Sequence, residues 1–287
     1  MRNYVIVTDS AADLSIERAE QLGLRIVPLG VMVDGVERQA KSTDDVRAIY
    51  TMLREKKSAT TNAANIEQFL EFFGEILKED VDLLYLGFSS ALSGTFSASS
   101  VALQELAEQY PDRKLYAVDT LCASMGQGLL VWYAAKMKEN GSDIDTVKDF
   151  VENNKLNLCH WFTVDDLFFL KRGGRISAAT AVVGSLLNIK PVMHVDNAGR
   201  LINVSKVRGR KAAIDAIFQK AKETMLEGRN DVMFISHGDC VEDAEYLAGR
   251  VQAELGVKQV VIDFIGPVIG AHSGPGTLAL FFLGSER

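Results

Sequence analysis

The strongest constraint on this chain is a repeated alternation in its first half: an apolar run, a polar corner, then an amphipathic stretch of helical period. Residues 4–8, 83–88 and 114–118 are largely apolar runs of strand length. They end in Asp9-Ser10, Ser89-Ser90 and Asp119-Thr120, and helical stretches follow at 15–22, 95–109 and 126–139. An apolar run between polar corners suits a strand buried on both faces. Strands alternating with helices build a parallel sheet covered by helices on both sides. Further helices are expected at 42–56, capped by Ser42, at 66–77 and at 145–154. Residues 24–27 and 31–33 read as strands, and Asp34-Gly35 as a hairpin turn returning through 36–38. The polar stretch 57–65 reads as a weakly structured connection.

The second half has a different texture. Strands are expected at 160–164, 190–194, 201–207, 232–236 and 257–264, with helices at 212–226 and 242–255. A short helix ends at Lys171-Arg172-Gly173-Gly174-Arg175, and a small-residue apolar helix is expected at 178–187. Asp196-Asn197-Ala198-Gly199 suits a hairpin loop, so antiparallel and parallel pairings mix here. The expected fold is therefore α/β in two domains. An N-terminal parallel-sheet α/β domain covers residues 1–160, and a C-terminal mixed α/β domain covers 161–287. Between Phe264 and Phe282 the only ionisable residue is His272, and the length matches a bilayer span. Gly266, Gly270, Gly274 and Gly276, with Pro267 and Pro275, interrupt it. A buried strand, a Gly-rich loop and a second buried strand are expected instead, in a protein that is not integral to a membrane.

Composition narrows the function classes. Lys and Arg number 31 against 38 Asp and Glu, a net charge of −7 that disfavours nucleic acid as a main partner. Cys122, Cys159 and Cys240 share no metal or redox spacing, which fits reduced thiols in a cytoplasmic protein. The four histidines are too scattered for a metal cluster. The N-terminus reaches Asp9 without the apolar core of a signal peptide. A P-loop is missing, as is a G-x-G-x-x-G after the first strand, so no cofactor is expected.

Ligands of open parallel sheets gather beyond the carboxyl ends of the strands. Hydroxyls concentrate on those corners here, at Ser10, Ser89, Ser90, Ser93, Thr120 and Ser124, and the stretch before the third helix adds Thr60, Thr61 and Asn62. Taken singly, each is an ordinary cap or turn residue. Taken together, they offer uncharged donors to an anion. Ser93-Gly94-Thr95 stands where a helix begins, and unpaired N–H groups there favour a carboxylate or phosphate. His272 sits among residues with almost no side chain, which would let a ligand approach closely; a structural role explains it equally well. Arg175 follows two glycines in a turn that could expose its fork to an anion, or simply to water. The basic run Lys206, Arg208, Arg210 and Lys211 poses the same choice.

Six segments, in order along essentially the whole chain, resemble the DegV family: VTDSAADL (7–14), SSALSGTFSAS (89–99), AVDTLCASMGQG (117–128), FLKRGGRIS (169–177), KVRGRKAA (206–213) and IGAHSGPG (269–276). The resemblance implies a bacterial fatty-acid-binding protein of two α/β domains. A long-chain fatty acid such as palmitate would lie in a tunnel between them, its carboxyl group held by hydroxyls. It implies Thr61 and Ser93 as the carboxyl-binding hydroxyls, with Gly94 beside them and His272 as a third donor. Thr60 is the alternative to Thr61, because the family's Thr-Ser-x-Pro stands here as Thr60-Thr61-Asn62-Ala63, without the proline. The family's Ser-Gly-Leu-Ser stands as Ser90-Ala91-Leu92-Ser93. Arg175 would lie at the mouth, where a partner fatty acid kinase or a phosphate could meet it. Such a protein is a carrier subunit in lipid metabolism, and catalysis belongs to the kinase, which makes an acyl phosphate for phospholipid synthesis.

Two other readings stay open on the residues alone. An acyl-ester hydrolase could use Ser93 with His272, although Ser93 lacks the first glycine of a nucleophile elbow. A nucleotide-binding regulator could use the strand-end loops, although Gly-rich phosphate motifs are missing. For the carrier, burial of a hydrocarbon tail at about 0.8 kcal/mol per CH₂ gives roughly 12 kcal/mol for 16 carbons before entropic costs, so polar contacts need only orient the head group.

Overall fold

The computed structural model describes residues 2–177 and 188–287. The small-residue helix expected at 178–187 lies outside the described residues. The chain opens with β1 (Tyr4–Asp9), α1 (Ile16–Gln21), β2 (Arg25–Val27), β3 (Gly30–Val33), β4 (Val36–Arg38) and α2 (Thr43–Arg54). It continues through β5 (Ala59–Asn62), α3 (Ile66–Leu77), β6 (Asp82–Gly87), α4 (Thr95–Gln109), β7 (Leu115–Asp119), α5 (Met125–Glu139) and α6 (Ile144–Asn154).

The first sheet is parallel throughout, in the order β2-β1-β6-β7. Its two central strands are buried along their whole length, as their continuous apolar runs require. Side chains alternate between the faces. Val5, Val7, Leu83 and Tyr85 pack against Phe69 and Phe73 of α3 and Ala102 of α4, while Ile6, Leu84 and Leu86 pack against Leu129 and Leu130 of α5. Helix starts follow local chemistry: Ser15, Ser42 and Asp143 cap α1, α2 and α6, and Asn65 with Gln68 forms a complete capping box on α3.

Residues 57–65 depart from expectation. They contain a strand, β5, which pairs antiparallel with β3 in a small sheet ordered β4-β3-β5. Its polar sequence hides it, because only Ala59 enters the core and the pairing is supplied by β3.

The second half comprises β8 (Leu158–Thr163), α7 (Phe168–Arg172), β9 (Ile189–Val195), β10 (Leu201–Arg208) and α8 (Arg210–Thr224). Then follow β11 (Val232–His237), α9 (Val241–Leu255), β12 (Gln259–Phe264), α10 (Pro267–Ser273) and β13 (Leu278–Leu283). The mixed sheet runs β10-β9-β8-β13-β11-β12, antiparallel except for β11 with β12. One face packs on α8 and α9 through Trp161, Phe218 and Leu247; the other turns Phe162, Phe234 and Phe281 toward α5. Helix α5 is thus pressed between both sheets, which is why Leu129, Leu130 and Val131 are all buried.

The Gly-rich loop expected after Phe264 is instead a helix, α10. Pro267 is its first residue, where a missing N–H costs nothing, and the helix stops at Gly274, whose φ of +79° suits glycine. The proline thus starts a helix here and does not break one. No described helix is long and apolar enough to cross a membrane.

Candidate functional site

A cavity of about 270 Å³ lies between the carboxyl end of the parallel sheet, α10 and the inner face of the mixed sheet. Periodicity explains its walls. Val268, Ile269, His272 and Ser273 are spaced three and four apart, so α10 turns one stripe inward; His160 with Phe162, and Ala279 with Phe281, are alternate residues of β8 and β13. Phe88, Leu92, Leu201 and Ile265 make most of the remaining surface apolar.

Polar groups converge at one end. Thr61 Oγ1 of β5 lies 2.8 Å from Nε2 of His272 on α10. Ser93 and Gly94, at the start of α4, line the same cavity, as does Arg175. Ser93 Oγ accepts a hydrogen bond from the Thr95 N–H at 3.3 Å and lies 2.8 Å from Thr95 Oγ1. Arg175 is held by Nε to the Leu92 carbonyl at 3.1 Å and by Nη1 to the Gly173 carbonyl at 2.5 Å. Burial, with the Arg175 and Arg172 guanidinium groups nearby, pushes His272 down to about 4. The imidazole is therefore neutral near pH 7. Close packing fixes it: a Cβ on Gly173 would stand 2.1 Å from His272 Nδ1. Gly173 therefore leaves the space that the ring occupies.

Five of the six residues singled out in the sequence, Thr61, Ser93, Gly94, Arg175 and His272, thus line one cavity. Thr60 does not. It is exposed on the opposite face of β5, one residue out of phase with Thr61. Nor does a hydrogen bond join Ser93 to His272, the couple that a hydrolase would need; each is engaged by a different threonine.

His160 lines the same cavity without having been singled out in the sequence. His160 is buried and neutral, held low by desolvation first and by Arg287 second. Its Nε2 accepts from the Ala123 N–H at 3.2 Å, and its Nδ1 stands 3.0 Å from the Leu158 carbonyl. Ser124 takes an unusual backbone conformation, with φ of +53°, and its hydroxyl donates to Asp13 Oδ2 at 2.5 Å. Burial raises Asp13 well above the usual carboxylate range. Of these, Ser124 stands among the strand-end hydroxyls of the sequence, whereas His160 leaves a trace only in the small residue Gly126, which it approaches so closely that a Cβ would lie 2.1 Å from Nε2.

The chain as a whole is similar to known proteins. A family model described as "Uncharacterised protein, DegV family" matches residues 3–285. A DegV domain-containing protein of Clostridium perfringens is 46% identical, over 100% of this chain and 99% of the relative. Among solved structures, a fatty-acid-binding DegV family protein of Thermus thermophilus superposes with a TM-score of 0.87 at 32% identity, over 99% of this chain and 100% of that one. DegV, a fatty acid binding protein from Bacillus subtilis, gives 0.84 at 27% identity, over 99% and 100% of the two chains.

Proposed function

The chain belongs to the DegV family, and from that premise we propose that it binds a long-chain fatty acid in the cavity and carries it as a non-catalytic subunit. One observation carries this reading: an apolar cavity ends in the uncharged Thr61–His272 pair, with Ser93 and Gly94 alongside. The hydrocarbon tail would supply the affinity. The hydroxyl and imidazole groups would orient the carboxyl group without binding it as tightly as a salt bridge, leaving one oxygen available for later chemistry. The solved relatives that bind fatty acids support the same ligand class.

Arg175 would stand at the mouth of the cavity beside the head group. A guanidinium there suits the arrival of phosphate, so the carrier would present its cargo to a fatty acid kinase that makes the acyl phosphate for phospholipid synthesis. The cysteines Cys122, Cys159 and Cys240 are all free, which agrees with a cytoplasmic setting. The deciding experiment is extraction of denatured protein, purified from bacteria, followed by mass spectrometry. Stoichiometric long-chain fatty acid is expected; none, with no binding of added palmitate, overturns the reading. Ser93→Ala should weaken retention with the fold intact, and a kinase added with ATP should phosphorylate the acid bound to the wild type but not the acid bound to Arg175→Ala.

A further inference from the structure

One hydroxyl of the cavity wall, that of Ser273, has no hydrogen-bond partner among the described residues. Ser273 is buried and lines the cavity. The other hydroxyls around it are paired, although Nδ1 of the adjacent His272 is buried without a partner as well. Thr277 Oγ1 donates to the Ser273 and Gly274 carbonyls, and Ser124 Oγ is shared between Asp13 and Ser236. A buried hydroxyl left unpaired costs about as much as a lost hydrogen bond, so such a group points to a partner supplied from elsewhere. Ser273 follows His272 directly on α10, and both belong to the stripe that faces the cavity. His272 Nε2 already meets Thr61 across the polar end.

We propose that Ser273 recognises an oxygen on the acyl chain itself, a hydroxyl carried by one of the first carbons after the carboxyl group, so that the cavity selects 2- or 3-hydroxy fatty acids over unsubstituted ones. This rests on the fatty-acid reading, and it names the ligand class more narrowly. Placement on an early carbon rests on the short step between the two residues: Ser273 is about 1.5 Å further along the helix axis than His272 and lines the same cavity, so a ligand whose carboxyl group reaches Thr61 and His272 brings its first carbons nearest to it. The side chain of serine is short, so its hydroxyl stays close to the surface of α10. A hydroxyl on the ligand can donate to Ser273 Oγ or accept from it, which removes the unpaired group. A plain methylene leaves it unpaired.

The test compares 3-hydroxypalmitate, 2-hydroxypalmitate and palmitate on delipidated full-length protein by calorimetry, with wild type and Ser273→Ala side by side. At least one hydroxy acid should bind about three- to tenfold more tightly than palmitate, the worth of one net neutral hydrogen bond. Ser273→Ala should abolish that preference, bringing the three acids to equal affinity. Equal binding of all three acids by the wild type overturns the proposal, as does a preference that survives Ser273→Ala. A loss that is equal for all three acids in the variant also overturns it, because Ser273 would then serve the carboxyl group. Failure of the wild type to bind any of the acids would instead bring down the fatty-acid reading, and this proposal with it. Should Ser273→Ala not fold, Ser273→Thr, which keeps the hydroxyl, must retain the preference and Ser273→Val must lose it.

Discussion

Thr61 and His272 are 211 positions apart in the chain, yet Oγ1 of one lies 2.8 Å from Nε2 of the other. The contact joins an edge strand of the small sheet to the helix before the last strand. Thr61→Val keeps the shape and removes the hydroxyl. It is expected to weaken fatty-acid binding three- to tenfold, about 1 kcal/mol, with little change in the fold. Thr60→Val, on the exposed face of β5, should leave affinity unchanged. Titration calorimetry with palmitate on both variants checks this, and equal losses would show that the pleat does not separate their roles.

Gly173→Ala puts a methyl group where His272 Nδ1 stands, at a backbone φ that any residue can adopt. The ring must move, and its bond to Thr61 goes with it. A loss of about 1–3 kcal/mol in urea unfolding is expected, together with weaker ligand binding. Gly249→Ala in α9 is the control: its Cβ would meet nothing within 4 Å, and it should stabilise by about 0.5–1 kcal/mol.

His272 should make stability depend on pH in a defined window. Its folded value, about 4, lies below the ordinary 6.5, so between these values the unfolded chain takes up a proton that the folded chain refuses. Stability is therefore lost as pH falls from 6.5 toward 4, by up to about 3 kcal/mol. His272→Gln lacks this proton uptake. Urea midpoints at pH 7 and pH 5 should show the variant gaining on the wild type at the lower pH; parallel pH profiles would refute the assignment.

Asp13 has the opposite sign. Burial raises its folded value, so above the ordinary carboxylate range the unfolded chain releases a proton that the folded chain keeps. Its contribution is complete at low pH and declines as pH rises toward the folded value. Asp13→Asn cannot titrate and can still accept from Ser124. Its stability should fall less steeply than that of the wild type between pH 4 and pH 8, measured by chemical denaturation.

Much of the architecture was legible because the residues that specify it act locally. The capping box of Asn65 and Gln68 marks the start of α3, and the apolar run at 83–88 marks a central strand. Features set by distant partners were not. Ala59-Thr60-Thr61-Asn62 has no strand pattern of its own, and it becomes a strand because β3 offers its backbone edge. With the strand unseen, the choice between Thr60 and Thr61 had no pleat to settle it. Residues 267–273 look like loop by glycine content, yet Pro267 opens a helix whose small residues admit close neighbours; a Cβ on Gly270 would stand 2.7 Å from the Tyr50 hydroxyl. Ser124 meets Asp13, and His160 meets the Ala123 N–H, only through tertiary packing, so spacing along the chain does not reveal these partners.

β13, the last strand of the chain, lies between β8 and β11, which do not pair with each other. Synthesis on a ribosome proceeds from the other end. A nascent chain halted before Leu278 has two half-sheets with exposed edges and lacks Ala279 and Phe281, which complete the cavity wall. The wall of the cavity therefore closes only when the final strand has paired with β8 on one edge and β11 on the other, and until then both edges are open to pairing with another chain.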